Sequence, residues 1–304
     1  ATLVLVVRLI EKLSRHRQNL FNTRYRFALA GFVGCAALIK LDKSVVNSLI
    51  GSWAAIRAAR VLGTKMIKHS PLANRSIPWS TIFMGLSAGQ ILSTWIFAPP
   101  QLDRSYYRFL CIHGGKSAQV LASLKNDSSM KTPCLALHPG QTCSEHVITF
   151  WVEGFLRATK VYLPLYLFMF VASGSFSRRH VRYLLENVTR SCVFLSSYCT
   201  MAWISACSWY KLSPGITRGK VLMHTMFAGL SVLLERPARR KELATYCCTY
   251  AFESIYKYGV ANKLWTSHQP IGTLIMCVSL AVLLHDHKHL PGFISNWLFA
   301  FLRD

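Results

Sequence analysis

Two stretches of the chain decide the fold: PWSTIFMGLSAGQILSTWIFAPPQLDRSYYRFL at residues 78–110 and PIGTLIMCVSLAVLLHDHKHLPGFISNWLFAFL at residues 270–302. They align without a gap, and eight of the 33 positions are identical, both prolines included. Upstream, at a nearly equal offset, Phe32 and Gly34 fall on Phe227 and Gly229. Self-similarity over apolar segments of span length is typical of internally duplicated membrane proteins. The sequence therefore predicts a duplication, about 24–110 and 218–302.

The composition also favours a membrane protein. Of the 304 residues, 52% are hydrophobic and 15% are charged, whereas soluble domains carry about 25% charged residues. The 35 Lys and Arg against 12 Asp and Glu give a net charge of +23, which suits a partner rich in phosphate. The basic residues stand at the ends of apolar segments, a pattern typical of lipid-headgroup contacts. Those predicted to contact headgroups are Arg178, Arg179, Arg182, Arg236, Arg239, Arg240 and Lys241.

The hydrophobic pattern predicts an all-α, polytopic membrane bundle with six to eight spans. The apolar segments lie at 26–41, 44–63, 78–98, 147–172, 181–210, 220–235, 243–261 and 270–285, with a short interfacial helix at 293–302. The predicted order is a basic N-terminal segment (1–23), a first membrane repeat (24–110) and a polar Cys/His loop (111–146). A central helix pair (147–217) and the second repeat (218–304) follow. If the helix at 147–172 crosses the bilayer, the two repeats have inverted topology.

The polar stretch contains a possible metal site. Cys134, His138, Cys143 and His146 provide four potential zinc ligands within thirteen residues, and Cys and neutral His are the ligands that structural zinc prefers. Two alternatives stay open for these residues. One is a disulfide between Cys134 and Cys143, and the other is a plain turn followed by a helix that Ser144 caps.

Charged residues within predicted spans are functional candidates because burial of charge in a bilayer costs free energy. Arg57, Arg60 and Glu253 meet this description, and Glu253 aligns roughly with Arg57 in the predicted repeat. A pair across a pseudo-symmetry axis is one interpretation; the other is that these side chains lie near helix ends and snorkel to the interface. The chain has no glycine-rich phosphate loop, nucleophile elbow or HExxH motif, so we expect no enzyme.

Three segments resemble the transmembrane protein 135 family: HPGQTCSEH at 138–146, YLPLYL at 162–167 and LLERPARRKELATY at 233–246. That family is distantly similar to the superfamily of the Tim translocase proteins and a small peroxisomal membrane protein. The resemblance covers roughly 134–265 and is fainter in the first third. It implies an all-helical protein of mitochondria or peroxisomes that is tied to lipid homeostasis and has no established catalytic activity.

These observations together predict a non-enzymatic accessory or structural subunit of an assembly in the mitochondrial inner membrane, with a peroxisomal membrane as the alternative location. The expected partners are other membrane-protein subunits and anionic phospholipids such as cardiolipin, and no nucleic acid is expected. Apart from bound phospholipid and the possible structural zinc, no cofactor is expected. The main alternative is a lipid or metabolite carrier or an organelle lipid-homeostasis factor. Contact with RNA is a minor one.

Overall fold

The computed structural model describes residues 28–29, 31–33, 35–36, 49–68, 70, 77–126, 134–172, 174, 176–212, 216–264 and 269–286. In these residues every regular element is a helix and no strand occurs, which confirms the all-α prediction for this part of the chain. The predicted segment 1–23 and the short helix at 293–302 lie outside the described residues.

The helices follow one another with short connections. Residues 28–29, 31–33 and 35–36 are helical. The numbered helices are α1 (Leu49–Lys68), α2 (Trp79–Phe97), α3 (Arg104–Gly114), α4 (Ala118–Asn126), α5 (Cys134–Leu137), α6 (Cys143–Ala172), α7 (Arg178–Leu212), α8 (Arg218–Thr225), α9 (Pro237–Ala261) and α10 (Gln269–His285). Two 3₁₀ helices occupy Pro99–Gln101 and Met226–Leu234. The predicted polar loop at 111–146 thus contains the end of α3 and the helices α4 and α5. The predicted single helix at 220–235 is divided between α8 and a 3₁₀ helix.

Local sequence explains several helix ends. Asp103 caps α3, because its carboxylate accepts hydrogen bonds from the backbone N–H groups of Ser105 and Tyr106. At the start of α6, Thr142 and Glu145 form a capping box: the backbone N–H of Thr142 donates to Glu145 Oε2 at 2.9 Å, and the N–H of Glu145 donates to Thr142 Oγ1 at 3.3 Å. The predicted cap at Ser144 was therefore wrong by two residues. Glu145 pairs with Thr142, three positions before it, so Thr142 is the residue that caps α6.

The chain divides into two compact units. Residues 1–77 and 262–304 form the first unit, which contains α1 and α10. Leu283 of α10 is fully buried there against Ala54, Ala58 and Val61 of α1. A second small core in this unit joins Cys35 to Met276 and Cys277 of α10. Small side chains on α1 therefore let the two helices pack closely.

Residues 78–261 form the second unit, whose most buried helix is α2. It packs against α8, the 3₁₀ helix Met226–Leu234 and α9. Trp95, Met84 and Ile91 fill this core with at most 1% exposure. Its buried Gln90 is hydrogen-bonded across the helix pair, since Gln90 Nε2 donates to Ser254 Oγ at 3.1 Å. The neighbouring helices α6 and α7 run antiparallel.

Close helix approaches in the two units involve helices that the predicted repeat aligns. In the first unit, a Cβ added to Gly31 would lie 2.8 Å from the carbonyl oxygen of Leu280 in α10. In the second unit, a Cβ added to Gly85 of α2 would lie 2.8 Å from the carbonyl oxygen of Met226. The predicted alignment places Gly31 on Met226 and α10 on α2. In each unit, the first helix of one predicted half thus packs against the third helix of the other half.

One described helix, α6, is long and apolar enough to cross a membrane. The segment Gly272–His285 of α10 is apolar but shorter. Of the other helices at predicted spans, α1 and α9 carry several charged residues, and α2 is uncharged but contains serine, threonine and glutamine and is mostly buried by its neighbours. The structure therefore gives one candidate span in the described residues, and the predicted six to eight spans stay a prediction.

Candidate functional site

The helix α6 presents an apolar surface that no described part of the chain covers. Within its most apolar stretch 6% of the residues are buried. Near its C-terminal end Phe168 is 73% exposed, and the side chains around it are also open; these are Leu163, Leu165, Leu167, Met169 and Val171. A contiguous exposed apolar surface of this kind marks a contact with lipid or with another protein.

Three arginines follow this apolar surface directly. Arg178, Arg179 and Arg182 begin α7, and all three side chains are exposed. Among the described residues none of them forms an ion pair with an acidic side chain. Positive charge in the first turn of a helix is unfavourable to the helix dipole, so helix stability does not explain these residues. Their charges are available for an external anion.

The second predicted basic cluster is held by contacts inside the protein. Arg236 bonds Glu186 at 2.8 Å, and Glu186 also bonds Arg190 at 3.3 Å. The charge of Arg236 is therefore compensated by a carboxylate of the same chain. Arg240 donates to the carbonyl oxygens of Glu235 and Leu233 at 2.7 and 2.8 Å, which satisfies the end of the 3₁₀ helix. Lys241 is exposed on the next turn.

A buried carboxylate anchors this cluster. Glu235 is 1% exposed and accepts a hydrogen bond from Ser191 Oγ at 2.9 Å, and the same hydroxyl lies 3.1 Å from Tyr166 Oη. Arg239 lies 3.6 Å from Glu235 and stacks over the ring of Tyr166 at 5.1 Å. A buried charge of this kind persists because it is paired and hydrogen-bonded. The network therefore fixes α6, α7 and α9 together at this point.

An open apolar groove of about 560 Å³ lies between α6, α7 and the 3₁₀ helix. Its lining consists of Val147, Ile148, Trp151, Ser197, Thr200, Met201, Ile204, Leu230, Ser231, Leu233 and Leu234. At one end, Arg240 donates to the carbonyl oxygen of Leu233, and Arg190 donates to that of Leu234 at 3.4 Å. The groove therefore has apolar walls that suit an acyl chain, and the two arginines hydrogen-bond carbonyl groups at this end without lining it.

The predicted Cys/His residues lie close together in the second unit. Cys143 Sγ is 3.7 Å from Cys134 Sγ and 3.7 Å from His138 Nε2. The ring of His146 stacks on that of His138 with centroids 4.7 Å apart. Cys207 of α7, which the sequence interpretation did not include, joins Cys134 and His138 in a group whose ligand atoms all lie within 4.8 Å of one another. Cys134, Cys143 and Cys207 form no disulfide.

The predicted intramembrane charges lie in separate units. Arg57 of α1 is 3% exposed, and its guanidinium lies 5.2 Å from the ring centroid of Trp53. Arg60, one turn on, is half-buried. In the second unit, Glu253 is 6% exposed and bonds Lys257 at 2.7 Å. Glu253 therefore has a partner on its own helix, and a pair between Arg57 and Glu253 stays a prediction.

Several residues of these sites were missed by the sequence interpretation. Glu186 stands four positions before Arg190 on α7, and this spacing predicts an ion pair on a helix face. Glu235 lies just before α9, so its pairing with Arg239 does not follow from helix spacing. The roles of Ser191 and Cys207 follow from the contacts of α7, and no local pattern marks them. Tyr166 lies within the YLPLYL segment, but nothing in that segment predicts that its hydroxyl contacts Ser191.

No protein-family model matches the sequence, and no solved structure gives a significant match to the fold.

Proposed function

We propose that this chain is a non-enzymatic membrane protein that acts as an accessory or structural subunit and binds anionic phospholipid. One observation carries the proposal: the apolar surface of α6 is exposed and leads directly into the exposed Arg178, Arg179 and Arg182. A helix that spans a bilayer needs about 20 apolar residues and ends in side chains that contact headgroups. The order of apolar and basic residues here meets both requirements.

The proposed arrangement is a polytopic bundle made from two related halves. The alignment of 78–110 with 270–302 supports it, as does the equivalent close helix approach at Gly85 and at Gly31. In this arrangement each unit contains two helices of one half and the third helix of the other. Helices that lack charged residues, α2 among them, would then cross the bilayer within the bundle although their own faces are mostly buried.

The ligand class follows from charge and shape. Basic residues near a membrane surface each contribute about 1 kcal/mol of attraction to anionic lipid. The groove of α6 and α7 offers apolar walls for an acyl chain beside Arg190 and Arg240. Cardiolipin, the anionic lipid expected for a mitochondrial inner membrane, combines both features. That location, with a peroxisomal membrane as the alternative, rests on the resemblance to the transmembrane protein 135 family.

A carrier has less support than a subunit. The interior cavity of the 78–261 unit has a volume of about 100 Å³, and its walls are apolar, with Trp95, Leu195 and Tyr198 among them. A transported polar metabolite would need polar groups along a larger cavity. The exposed surface of α6 is instead available to lipid or to a membrane-embedded partner.

The lipid proposal is tested with a matched pair of double variants. Arg178→Gln/Arg179→Gln removes two exposed arginines at the start of α7, and Arg104→Gln/Arg108→Gln removes two exposed arginines from α3. Each protein is purified in mild detergent and incubated with cardiolipin or phosphatidylcholine, and bound lipid is counted by native mass spectrometry. At about 1 kcal/mol for each charge, the α7 variant loses roughly 30-fold in cardiolipin affinity.

The control variant keeps the cardiolipin affinity of the wild type, and phosphatidylcholine binding is unchanged in both variants. An equal loss in the two double variants would mean that net charge alone attracts the lipid. Retention of cardiolipin by the α7 variant would refute the assignment of these arginines. Native-gel separation of a mild detergent extract of membranes tests the proposed role as a subunit. Co-migration with a larger assembly supports this role, and migration of the chain alone contradicts it.

A further inference from the structure

The Cys/His cluster of the second unit has the composition and spacing of a zinc site that uses a different fourth ligand from the predicted one. Cys134, His138 and Cys207 offer ligand atoms within 4.8 Å of one another. Cys143 Sγ lies 3.7 Å from Cys134 Sγ and 3.7 Å from His138 Nε2. These four side chains come from three places in the chain: α5 with the turn after it, the start of α6, and α7.

Two of the six separations among these ligand atoms match the edges of a zinc tetrahedron. With Zn–S of about 2.3 Å and Zn–N of about 2.0–2.1 Å, tetrahedral angles place two sulfurs about 3.8 Å apart and a sulfur and a nitrogen about 3.6 Å apart. The Cys134–Cys143 and Cys143–His138 separations are both 3.7 Å, within about 0.2 Å of those values. A disulfide would need the two sulfurs about 2.05 Å apart.

The histidine is oriented as a metal ligand requires. His138 Nδ1 lies 3.0 Å from the backbone carbonyl oxygen of Gln141. A carbonyl oxygen can only accept, so this contact places the proton on Nδ1 and leaves the lone pair of Nε2 free. Nε2 is the atom that faces Cys143. An N–H donated to a backbone carbonyl is the usual outer contact of a zinc-bound histidine.

The backbone around the cluster is set by local sequence. Gly140 has φ of +76°, and it turns the chain between His138 and Cys143. The capping box of Thr142 and Glu145 then fixes the first turn of α6, where Cys143 lies. Three thiolates and one Zn²⁺ leave one net negative charge. Lys116, whose ammonium group donates to the carbonyl oxygen of Leu137, interacts favourably with Cys207.

The geometry points to a structural zinc site formed by Cys134, His138, Cys143 and Cys207. Four protein ligands close the coordination sphere, so the ion would hold the 134–143 turn on α7 and would not activate water. His146 would stand beside the site and stack on His138. This inference does not depend on the proposed membrane function, because its ligands and its test concern the metal alone.

Metal content of the purified full-length protein is the first test. We expect about one zinc per chain in the wild type by elemental analysis, and the same in His146→Gln. Cys207→Ser is expected to lose at least 10-fold in zinc occupancy. Cys199→Ser, a substitution two turns earlier on α7, is the matched control and keeps its zinc. Loss in His146→Gln with retention in Cys207→Ser would overturn the ligand assignment.

A second measurement uses the wild type and does not require that a variant folds. Zinc bound as proposed protects Cys134, Cys143 and Cys207 from alkylation, and a chelator exposes them. Cys111, which is outside the cluster, reacts equally with and without zinc. Alkylation patterns that do not change with zinc would overturn the site. So would a metal-free protein with a Cys134–Cys143 disulfide, detected as a mass two hydrogens lower that reduction restores.

Discussion

Replacement of Gly229 by alanine tests the packing of the second unit most severely. A Cβ at this position would lie 2.3 Å from the backbone nitrogen and 2.4 Å from the Cα of Gly85 on α2. An ordinary contact is 3.4–4 Å, and both atoms belong to backbone that no rotamer change can move. The two helices must therefore separate by roughly 1 Å along the contact. Overpacking of this kind costs about 3 kcal/mol.

The same separation would also loosen the contact between α2 and α8. A Cβ added to Gly89 would lie 2.3 Å from the carbonyl oxygen of Leu222, so α8 also crosses α2 at van der Waals distance. A loss of about 3 kcal/mol corresponds to a fall in Tm of roughly 6–12 °C for a unit of this size. The assay is thermal unfolding of the detergent-solubilised full chain, followed by circular dichroism and by intrinsic fluorescence.

Gly219→Ala is the control for this prediction. Gly219 lies in the first turn of α8, and a Cβ added there meets nothing within 4 Å. Its Tm is therefore expected to stay within about 2 °C of the wild type. If Gly229→Ala unfolds at the same temperature as Gly219→Ala, α2 and the 3₁₀ helix do not approach as described.

Three further predictions concern buried groups. Burial and the nearby charge of Arg157 lower the pKa of His113 to about 4, so the folded state favours neutral histidine. Stability should then fall by about 3 kcal/mol as the pH drops from about 6.5 to about 4, and His113→Gln should show a shallower pH dependence in the same unfolding assay. Leu283→Ala should cost about 2–5 kcal/mol, whereas Leu264→Ala, at a 65% exposed position, should cost under about 0.5 kcal/mol; equal losses would contradict the core of the first unit. Glu235→Ala should cost about 1–3 kcal/mol because Ser191 and Arg239 lose their partner, and a wild-type Tm for this variant would argue against the network.

The helical class could be predicted from the sequence, because long apolar segments between basic residues allow few folds other than a helical bundle. The exposed character of α6 could not: the prediction counted 147–172 as one of eight apolar segments, and α7 is longer, with 35 residues against 30. The cysteines and histidine at 134–143 could be grouped because they are near in sequence. Their spacing gave three of the four proposed ligands.

The remaining features depend on contacts between distant segments. Cys207 comes to the cluster because α6 and α7 run antiparallel, and nothing around residue 207 in the sequence signals a ligand. Arg239 and Arg240 were predicted as headgroup contacts from charge alone. Whether a basic side chain stays open or turns inward depends on its neighbours, and the buried Glu235 and the last carbonyls of the 3₁₀ helix draw these two inward. By contrast, no described acidic group lies against Arg178.

The central claim, that α6 contacts the lipid bilayer, is tested most directly by photo-crosslinking from its exposed surface. Benzoylphenylalanine replaces Phe168, which is 73% exposed, and in a parallel protein it replaces Phe150, which is 4% exposed near the start of the same helix. Native membranes that contain each protein are irradiated, and the products are identified by mass spectrometry. The account predicts phospholipid acyl chains crosslinked at position 168 and none at position 150. Crosslinks at position 168 that are confined to water-soluble proteins would contradict it.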